Sequence, residues 1–327
     1  MGTKKIDLSV VVPCKNAEKY ISLCLDALLK QTHPFLQLEI LVVDNGSTDK
    51  TLEILKKYAS AIKLFNLPVG TISEVRNYGA KNSRGEWLAF IDADVEVNRN
   101  WSANLIRAID GFRKKGINLS DVITGSTYLI PQKSSWIERV WFEQLISRDK
   151  ISDRYINSGN LILHRRLFDR IGGFDPAYET CEDEKLCSDA RSQRGKIIKE
   201  KAIIAIHHGY PKSLKQFFKR ERWHGLGMIN DISRPWRSRE LSLSLYFLLI
   251  CTALLFSLIS NVDIVISGTV AFLCLLLPLF AIAISRSISR PTYIFPLTLL
   301  YFLYGCARIC SLFDITFNYI RKRKRNL

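Results

Sequence analysis

The sequence predicts an α/β fold, in which a mostly parallel sheet is covered by helices on both faces and is followed by membrane helices. Two observations predict the sheet: short β-branched runs end in polar turns, and amphipathic helical segments separate these runs over residues 1–240. The third observation is a change of composition, because the chain is mostly apolar from Leu241 onward. A chain of 327 residues has room for one such domain and an appended region.

Hydrophobic periodicity places the individual elements. The predicted strands are 8–13, 38–43, 62–66, 87–91, 122–130, 160–163 and 197–206. The predicted helices are 18–31, 49–58, 72–82, 101–115, 134–147, 164–171, 182–193 and 212–225. Since strands alternate with helices in the first part of the chain, parallel strands joined by crossover helices are expected.

Acidic residues follow two of these strands directly. Asp92 and Asp94 come after the apolar run Trp87–Ile91, and Asp44 comes after the run 38–43. Side chains two residues apart on an extended chain project to the same side, and carboxylate oxygens suit Mg²⁺ or Mn²⁺ held together with substrate phosphates. Because ligands collect at the carboxyl ends of parallel strands, one shared site for a cation and a diphosphate is predicted. Turn-forming aspartates after a buried strand are the alternative.

Three apolar runs have the length of membrane spans, namely 243–260, 264–284 and 292–313. A buried core helix is the alternative, but only Asn261-Val262-Asp263 separates the first two runs. The third run contains Arg308 and is expected to be broken by Pro296. The predicted organisation is a cytoplasmic domain of residues 1–230, a juxtamembrane linker of residues 231–242, a membrane region of residues 243–320 and a basic tail of residues 321–327.

The net charge of +16 is concentrated beside the apolar runs. The basic residues concerned are Lys212, Lys215, Lys219, Arg220, Arg222, Arg234, Arg237, Arg239, Arg286, Arg290 and Arg321-Lys322-Arg323-Lys324-Arg325. Such clusters mark the cytoplasmic side and fit an anionic leaflet, so a membrane partner is expected and nucleic acid is not. Three spans would place the basic tail opposite the cytoplasmic domain. We therefore expect two spans and a third segment that is re-entrant or tilted.

The N-terminus and the cysteines indicate a reducing compartment for the first domain. Residues 1–7 show no signal-peptide pattern and lead directly into a strand. The eight cysteines form no Cys-x-x-Cys pair, so reduced and packed thiols are expected. The expected location is the inner (plasma) membrane, with the first domain in the cytoplasm.

Six short motifs occur in a fixed order along the first part of the chain. They are VVVPCKN (10–16), VVDNGSTD (42–49), RNYG (76–79), DAD (92–94), GGFD (172–175) and ED (182–183). Together they resemble the family 2 glycosyltransferases of the GT-A fold, over roughly the first 230 residues. No single motif is decisive, but the ordered set is highly specific.

The resemblance implies a binding site for a nucleotide-sugar. It assigns Asp44 to the nucleobase, and it places the nucleoside beside Pro13, Asn16 and Glu18 in the first strand-to-helix turn. Arg76 is expected to hold the ribose or a phosphate. Each residue also has a structural alternative: an Asx turn for Asp44, a helix N-terminus for Glu18 and a surface ion pair for Arg76.

The resemblance also implies a divalent cation, Mg²⁺ or Mn²⁺. Asp94 is expected to ligate it directly, and Asp92 to lie nearer the ribose or a metal-bound water. His207 ends the last strand of the domain and is expected to be a further metal ligand, although a structural role is the alternative. Because neighbours on an extended chain face opposite ways, only one of His207 and His208 is expected to point into the site.

The catalytic base implied by the resemblance is Asp183, which is expected to deprotonate an acceptor hydroxyl. Glu182 beside it is expected near the acceptor, and acids that simply favour a helix N-terminus are the alternative for both residues. Lys219-Arg220-Glu221-Arg222-Trp223 is similar to the Gln/Arg-x-x-Arg-Trp motif of processive family members, and an interfacial helix with a Trp at headgroup depth is the alternative. The lysine in its first position puts processive synthesis in doubt, and Arg222 and Trp223 are expected both to dock on the membrane and to lie near an acceptor.

The expected function is the inverting, metal-dependent transfer of a sugar from a UDP- or GDP-sugar to a lipid-linked acceptor. The acceptor is a polyprenyl phosphate or a lipid-linked glycan, in the assembly of cell-surface polysaccharide or glycoconjugate. Two other classes of protein are considered: a nucleotidyltransferase acting on sugar phosphates, whose Gly-rich signature is not evident, and a non-catalytic membrane scaffold with a degenerate GT-A fold. The intact acids at 44, 92, 94 and 183 speak against the scaffold.

Overall fold

The computed structural model describes residues 6–149, 155–229, 239–260, 263–287 and 290–325. The chain divides into two compact units. The N-terminal unit comprises residues 1–132 and 149–210, and the C-terminal unit comprises residues 133–148 and 211–327. This division differs from the predicted domain of residues 1–230, because residues 133–148 and 211–230 belong to the unit that contains the membrane helices.

The strands of the described residues form two sheets in the N-terminal unit. In chain order they are β1 (Ile6–Cys14), β2 (Leu36–Asp44), β3 (Lys63–Asn66), β4 (Trp87–Ile91), β5 (Val95–Val97), β6 (Val122–Gly125), β7 (Tyr128–Leu129), β8 (Asn160–His164), β9 (Lys196–Lys199) and β10 (Ala205–His207). The central sheet has the order β3-β2-β1-β4-β8-β6-β9. Only β8 runs antiparallel to its neighbours, β4 and β6, so the predicted mostly parallel sheet is confirmed.

A second sheet has the order β5-β10-β7; it corrects two strand predictions and adds one strand that was not predicted. The predicted strand 122–130 is two strands, β6 and β7, because the backbone turns at Gly125 with a φ of +146°. The predicted strand 197–206 is likewise β9 in the central sheet and β10 in the small one. Strand β5 was not predicted, and it pairs antiparallel with β10. Each long run therefore changes sheets at a break that periodicity alone does not locate.

The helices agree with the predicted order. They are α1 (Ile21–Leu29), α2 (Thr51–Lys56), α3 (Ile72–Lys81), α4 (Trp101–Lys114), α5 (Trp136–Asp149), α6 (Arg165–Ile171), α7 (Glu182–Ser192), α8 (Leu214–His224), α9 (Arg239–Ile259), α10 (Ile264–Arg286) and α11 (Ile294–Arg325). Helix α3 begins with a capping box, in which Thr71 and Glu74 bond each other's backbone N–H groups. Helix α6 ends at Gly172, whose left-handed φ of +83° suits glycine.

The central sheet is buried on both faces. Along β1 the side chains alternate, so that Val10 and Val12 join the core that contains α1 and α4, and Val11 joins the core that contains α6 and α7. All three valines are fully buried. This explains why β1 is a continuous apolar run rather than an alternating one, and why the polar ends of the strands are the accessible part of the sheet.

Three helices of the C-terminal unit are long and apolar enough to cross a membrane: Leu241–Ile259, Val265–Arg286 and Pro291–Phe317. The expected break at Pro296 is wrong, because α11 runs without interruption from Ile294 to Arg325. Pro296 lies in its first turn, where proline removes no helical hydrogen bond. Membrane association therefore fits all three helices by length and composition, and the number that actually cross stays a prediction.

Gly79 and Gly111 form a matched pair that tests helix packing. A Cβ on Gly79 of α3 would overlap the Val11 side chain, whereas Gly111 of α4 faces open space. We expect Gly79→Ala to lower the free energy of unfolding by about 1–3 kcal/mol through overpacking, and Gly111→Ala to raise it by about 0.5–1 kcal/mol. Scanning fluorimetry of the detergent-solubilised chain measures both as shifts of the unfolding temperature. Shifts of equal sign would contradict the close packing of α3 on β1.

Candidate active site at the strand ends

The two sheets meet where β4 ends and β5 begins. Asp92 and Asp94 occupy this corner, and the N–H of Val95 donates to the Asp92 carbonyl at 3.0 Å. Strand β10 pairs with β5 so that His207 lies opposite Val95, and the N–H of His208 donates to the Asp94 carbonyl at 2.9 Å. The backbone pairing of two distant segments thus brings a histidine to the acidic corner.

Asp92, Asp94 and His207 form a compact group of potential metal ligands. One atom of each residue lies within 4.8 Å of the other two, and His207 Nε2 is 3.5 Å from Asp94 Oδ1. The neighbouring histidine faces another carboxylate, since His208 Nε2 is 2.9 Å from Glu96 Oε2. The structure therefore brings His207, and not His208, to the Asp92–Asp94 pair.

The surroundings of His207 are aromatic and tightly packed. Its ring centroid lies 5.0 Å from that of Tyr128 and 4.5 Å from that of Tyr210. Its Nδ1 atom is buried and has no hydrogen-bond partner among the described residues. Burial, which the nearby His207 offsets only in part, raises the pKa of Asp94. The group thus combines crowded carboxylates with an imidazole whose ring position is fixed by packing.

Arg76 is buried in two ion pairs, and its expected contact with the ribose or a phosphate stays a prediction. The guanidinium is 3% exposed, with Nη2 2.8 Å from Asp92 Oδ1 and Nη1 2.6 Å from Glu182 Oε1. Its face lies 5.4 Å from the Phe174 ring centroid. The surface ion pair considered as the alternative is wrong, because Arg76 is buried. Arg76 holds Asp92 and the start of α7 together.

Asp183 lies buried at the start of α7. Its carboxylate accepts hydrogen bonds from the N–H groups of Glu184 at 2.8 Å and Ser158 at 3.3 Å. Burial first, and then the charge of Glu182, raise the pKa of Asp183 to about 7. The residue between Thr180 and Glu182, Cys181, has a left-handed φ of +64°, which is unusual for a residue other than glycine or asparagine. A carboxylate that titrates near neutrality is therefore held next to the Arg76 ion pairs.

The loops after β1 and β2 are joined by side-chain hydrogen bonds. Asn16 Oδ1 accepts from the Thr48 N–H at 2.8 Å, and Glu18 Oε2 accepts from the Lys50 N–H at 2.9 Å. Glu18 thus caps the start of α2 rather than its own helix. In register, Pro13 pairs with Val43 at the ends of the two strands, so the two loops form one surface.

Asp44 is fully buried at the end of β2. Its carboxylate accepts hydrogen bonds from the hydroxyl of Ser47 and from the Ser47 N–H, the latter at 3.1 Å. Both groups belong to the residue three positions on, one further than in the Asx turn considered as the alternative. Other lone pairs of the carboxylate remain uncommitted. A role for Asp44 in binding a nucleobase stays a prediction.

Arg222 and Trp223 lie on α8 in the other unit. Arg222 makes two hydrogen bonds to Asp314 at 2.6 Å each, and Trp223 is 46% exposed. The structure thus provides a partner for Arg222 that the sequence did not indicate. The acceptor roles of both residues stay predictions.

Four further residues surround the acids and were missed by the sequence reasoning: Tyr128, Ser158, Gly159 and Gly209. A Cβ on Gly159 would overlap the Asp92 carboxylate and the Tyr128 hydroxyl, and a Cβ on Gly209 would overlap the Asp94 carboxylate. Ser158 Oγ donates to Glu182 Oε1 at 3.2 Å. Glycines directly before the β8 strand and directly after the His-His pair were the available signal, because glycine often marks a close approach of the backbone.

Substitution of Arg76 tests how far the site depends on its ion pairs. Arg76→Met leaves Asp92 and Glu182 without their buried partner, and we expect the free energy of unfolding at pH 7 to fall by about 3–5 kcal/mol. The loss arises because two desolvated carboxylates keep their charge without a counter-charge.

The measurement is the unfolding temperature of the detergent-solubilised chain at pH 7. Arg76→Lys is the matched control, because an ammonium keeps the charge but loses the two-sided fork, and it is expected to give an intermediate loss. A Met variant as stable as the parent at pH 7 would rule out the bridging role.

A known protein family matches half of this chain. The family model "Glycosyl transferase family 2" matches residues 9–172. Among curated relatives, the glycosyltransferase AglE of Haloferax volcanii is 30% identical over 173 residues, which is 51% of this chain and 55% of that protein. The poly(ribitol-phosphate) beta-N-acetylglucosaminyltransferase TarS of Staphylococcus aureus is 36% identical over 121 residues, 34% of this chain and 21% of that protein. The chain therefore matches about half or less of the length of these relatives.

A solved structure extends the likeness to nearly the whole chain. The mannosyltransferase PcManGT from Pyrobaculum calidifontis, in complex with GDP-Man and Mn²⁺, superposes with a TM-score of 0.61 at 16% identity, over 95% of this chain and 88% of that one. This likeness shows the fold alone. Since the family model spans half of the chain and the fold agrees, the chain belongs to glycosyltransferase family 2 and has a GT-A-like fold.

Proposed function

We propose that this protein is an inverting, metal-dependent glycosyltransferase that transfers a sugar from a UDP- or GDP-sugar to a lipid-linked acceptor. One observation carries the proposal: Arg76 joins the Asp92 corner to Glu182, beside the buried Asp183. A group for holding a diphosphate and a group for accepting a proton are thereby parts of one buried network. Perturbed acids that converge in this way are typical of active sites.

The residues at the acidic corner fit a divalent cation. Asp92 and Asp94 supply carboxylate oxygens and His207 supplies a nitrogen, all within 4.8 Å, and two carboxylates with one imidazole suit Mn²⁺ as well as Mg²⁺. Burial raises the pKa of Asp94 and the charge of Asp92 adds to this rise, so a bound cation would favour the ionised carboxylate. When bound, the cation would neutralise charge on the diphosphate of the leaving nucleotide.

Asp183 is proposed as the general base. It would take the proton of the acceptor hydroxyl as that oxygen bonds to the anomeric carbon, while the bond from this carbon to the diphosphate oxygen breaks and the nucleoside diphosphate leaves. Attack opposite to the leaving group inverts the anomeric centre. Glu182, held by Arg76 and Ser158, would fix the start of α7 and so the position of the base.

The nucleoside is proposed to lie on the surface that the loops after β1 and β2 form. Asp44 at the end of β2 would accept a hydrogen bond from the base, and Pro13, Asn16 and Glu18 would shape the loop beside it. The bonds from Asn16 and Glu18 to the second loop support this, because they fix the two loops relative to each other. Such preorganisation lowers the entropy lost on binding.

The acceptor is proposed to be a polyprenyl phosphate or a glycan carried on such a lipid. The support is the C-terminal unit, with its three apolar helices, and the exposed Trp223 and Arg222 at the basic helix α8. Trp at headgroup depth is a common membrane anchor. The basic residues that flank the apolar helices support an inner-membrane location with the N-terminal unit in the cytoplasm.

A donor panel tests the proposed reaction. Purified full-length protein is incubated with UDP- and GDP-sugars and Mn²⁺, with and without a lipid extract, and free nucleoside diphosphate is measured. GDP-mannose belongs in the panel, since the mannosyltransferase of similar fold was solved with it. We expect one sugar donor to release nucleoside diphosphate faster when lipid is present. Release of pyrophosphate would support a nucleotidyltransferase, and no turnover with any donor would contradict the proposal.

The base is tested in the same assay. We expect Asp183→Asn to lower kcat by about 10²–10⁴-fold. In the parent protein, kcat/KM should fall as the pH drops below about 7, because protonation of Asp183 removes the base. Asp189→Asn on the same helix is the matched control, since Asp189 pairs with Lys185 at 2.6 Å, and it should keep full activity. A fully active Asp183→Asn variant would exclude this base.

Metal ligation is tested by Mn²⁺ binding, measured by calorimetry in the presence of nucleoside diphosphate and without turnover. We expect Asp94→Asn and His207→Gln each to weaken Mn²⁺ binding by at least about 10-fold, because each removes a donor atom. His208→Gln is the control, as His208 faces Glu96 instead, and it should bind Mn²⁺ normally. Unchanged affinity in both ligand variants would show that the cation binds elsewhere.

A further inference from the structure

Helix α11 is covered along one side by two helices of the same unit, α5 and the amphipathic α8. Trp141 of α5 packs against Tyr301 and Tyr304, with ring centroids 6.0 Å apart in both pairs. Further along the helix, Arg308 Nη2 lies 3.1 Å from Glu221 Oε2 of α8, and both side chains are at most 5% exposed. The cover therefore continues from the first third of α11 to its middle.

Polar contacts extend this cover by two more turns. Arg222 of α8 donates two hydrogen bonds to Asp314 at 2.6 Å, and Ser311 Oγ donates to the Arg222 carbonyl at 2.6 Å. A Cβ on Gly225 would overlap the Ser311 side chain, so the end of α8 lies directly on α11. Helix α8 thus runs beside α11 as far as residue 314.

Both covering helices carry exposed basic residues. Arg139 on α5 is exposed, and so are Lys215 and Lys219 on α8. Charged side chains are costly in the hydrocarbon core of a bilayer and are common at the headgroup level. Since α5 and α8 flank α11 from residue 301 to residue 314, this length of α11 must lie at headgroup depth as well.

The other side of α11 contacts the base of the α9–α10 hairpin. Gly305 packs against Phe247, and Leu279 lies in the same apolar cluster. Phe247 is eight residues from the start of α9, or about 12 Å, which is less than half of a hydrocarbon core of about 30 Å. The far half of the hairpin is open, with Phe256 70% and Ile266 61% exposed.

A narrow apolar stripe completes the surface of α11. Phe295, Leu299, Phe313 and Phe317 are 76%, 43%, 61% and 66% exposed. The second pair follows the first after five helical turns, so all four side chains share one face. Other sides of α11 pack on apolar side chains and on one buried ion pair of the same unit. A single exposed apolar stripe beside helices that carry exposed basic residues fits the membrane interface.

We propose that α11 is an interfacial helix that lies in the leaflet where α9 enters the membrane, and that it does not cross the bilayer. Its partner is one lipid leaflet: the stripe contacts the acyl chains, and the exposed Lys215 and Lys219 of α8 contact the anionic headgroups. The proposal rests on packing within the C-terminal unit and is independent of the proposed reaction.

Epitope tags in the full-length protein test the topology. One tag precedes Met1, one is inserted after Ser260 between α9 and α10, and one follows Leu327. Each tagged protein is expressed in bacterial cells, and antibody access is measured in intact spheroplasts and in inverted membrane vesicles. We expect the tag after Leu327 to be exposed on the same side as the tag before Met1, and the tag after Ser260 on the opposite side.

Two outcomes would overturn the proposal. A tag after Leu327 that shares the side of the Ser260 tag means that α11 crosses the bilayer. Three tags on one side mean that the α9–α10 hairpin does not cross the membrane, so that α11 has no spanning partner.

An independent measurement is the labelling of exposed lysines. Lys215 and Lys219 should react with a membrane-impermeant amine reagent from the side of the Met1 tag. If neither lysine reacts from that side, the interfacial position is wrong. Variants Lys215→Arg and Lys219→Arg are the controls, because each should lose the labelled peptide that is assigned to its lysine.

Discussion

The candidate site depends on one buried guanidinium. Asp92, Asp94, Glu182 and Asp183 bring four carboxylates to the strand ends, and Arg76 is the cation that contacts two of them. Because desolvated charges interact strongly, breaking such a pair is far more costly than its net contribution suggests. Arg76 therefore fixes the distance between the acidic corner and α7, and it also favours the ionised form of the nearby Asp183. The Arg76 side chain thereby connects the two proposed parts of the site, the one that holds the diphosphate and the one that accepts the proton.

The small sheet supplies the second constraint. Strands β5 and β10 are each three residues long, yet their pairing places His207 beside Asp94 and directs His208 to Glu96. The glycines at 159 and 209 leave the space that the two aspartates occupy. The geometry of the acidic corner thus follows from the pairing of β5 with β10 and from two glycines that leave room for the aspartates.

Sequence reasoning reached the parts of this arrangement that are local. Asp92 and Asp94 end an apolar strand, and the order of strands and helices follows from periodicity, so the fold class and the acidic corner were predictable. The partners of Arg76 were not, because Glu182 is distant in the chain and periodicity reports a face rather than a contact. The break at Gly125 and the position of Pro296 within the first turn of α11 depend on backbone angles and element boundaries, which are the least certain part of such predictions.

Acidic and basic side chains are concentrated in different parts of the chain. The net charge is +16, yet the strand ends of the N-terminal unit gather carboxylates, and the excess of basic residues lies beside the apolar helices. In the C-terminal unit the acids are used as partners, since Glu221 neutralises Arg308 and Asp314 neutralises Arg222. These pairs let α8 lie on α11 without leaving a buried charge alone. The exposed lysines of α8 then remain for an anionic surface, which connects the basic composition of the chain to the membrane rather than to the candidate active site.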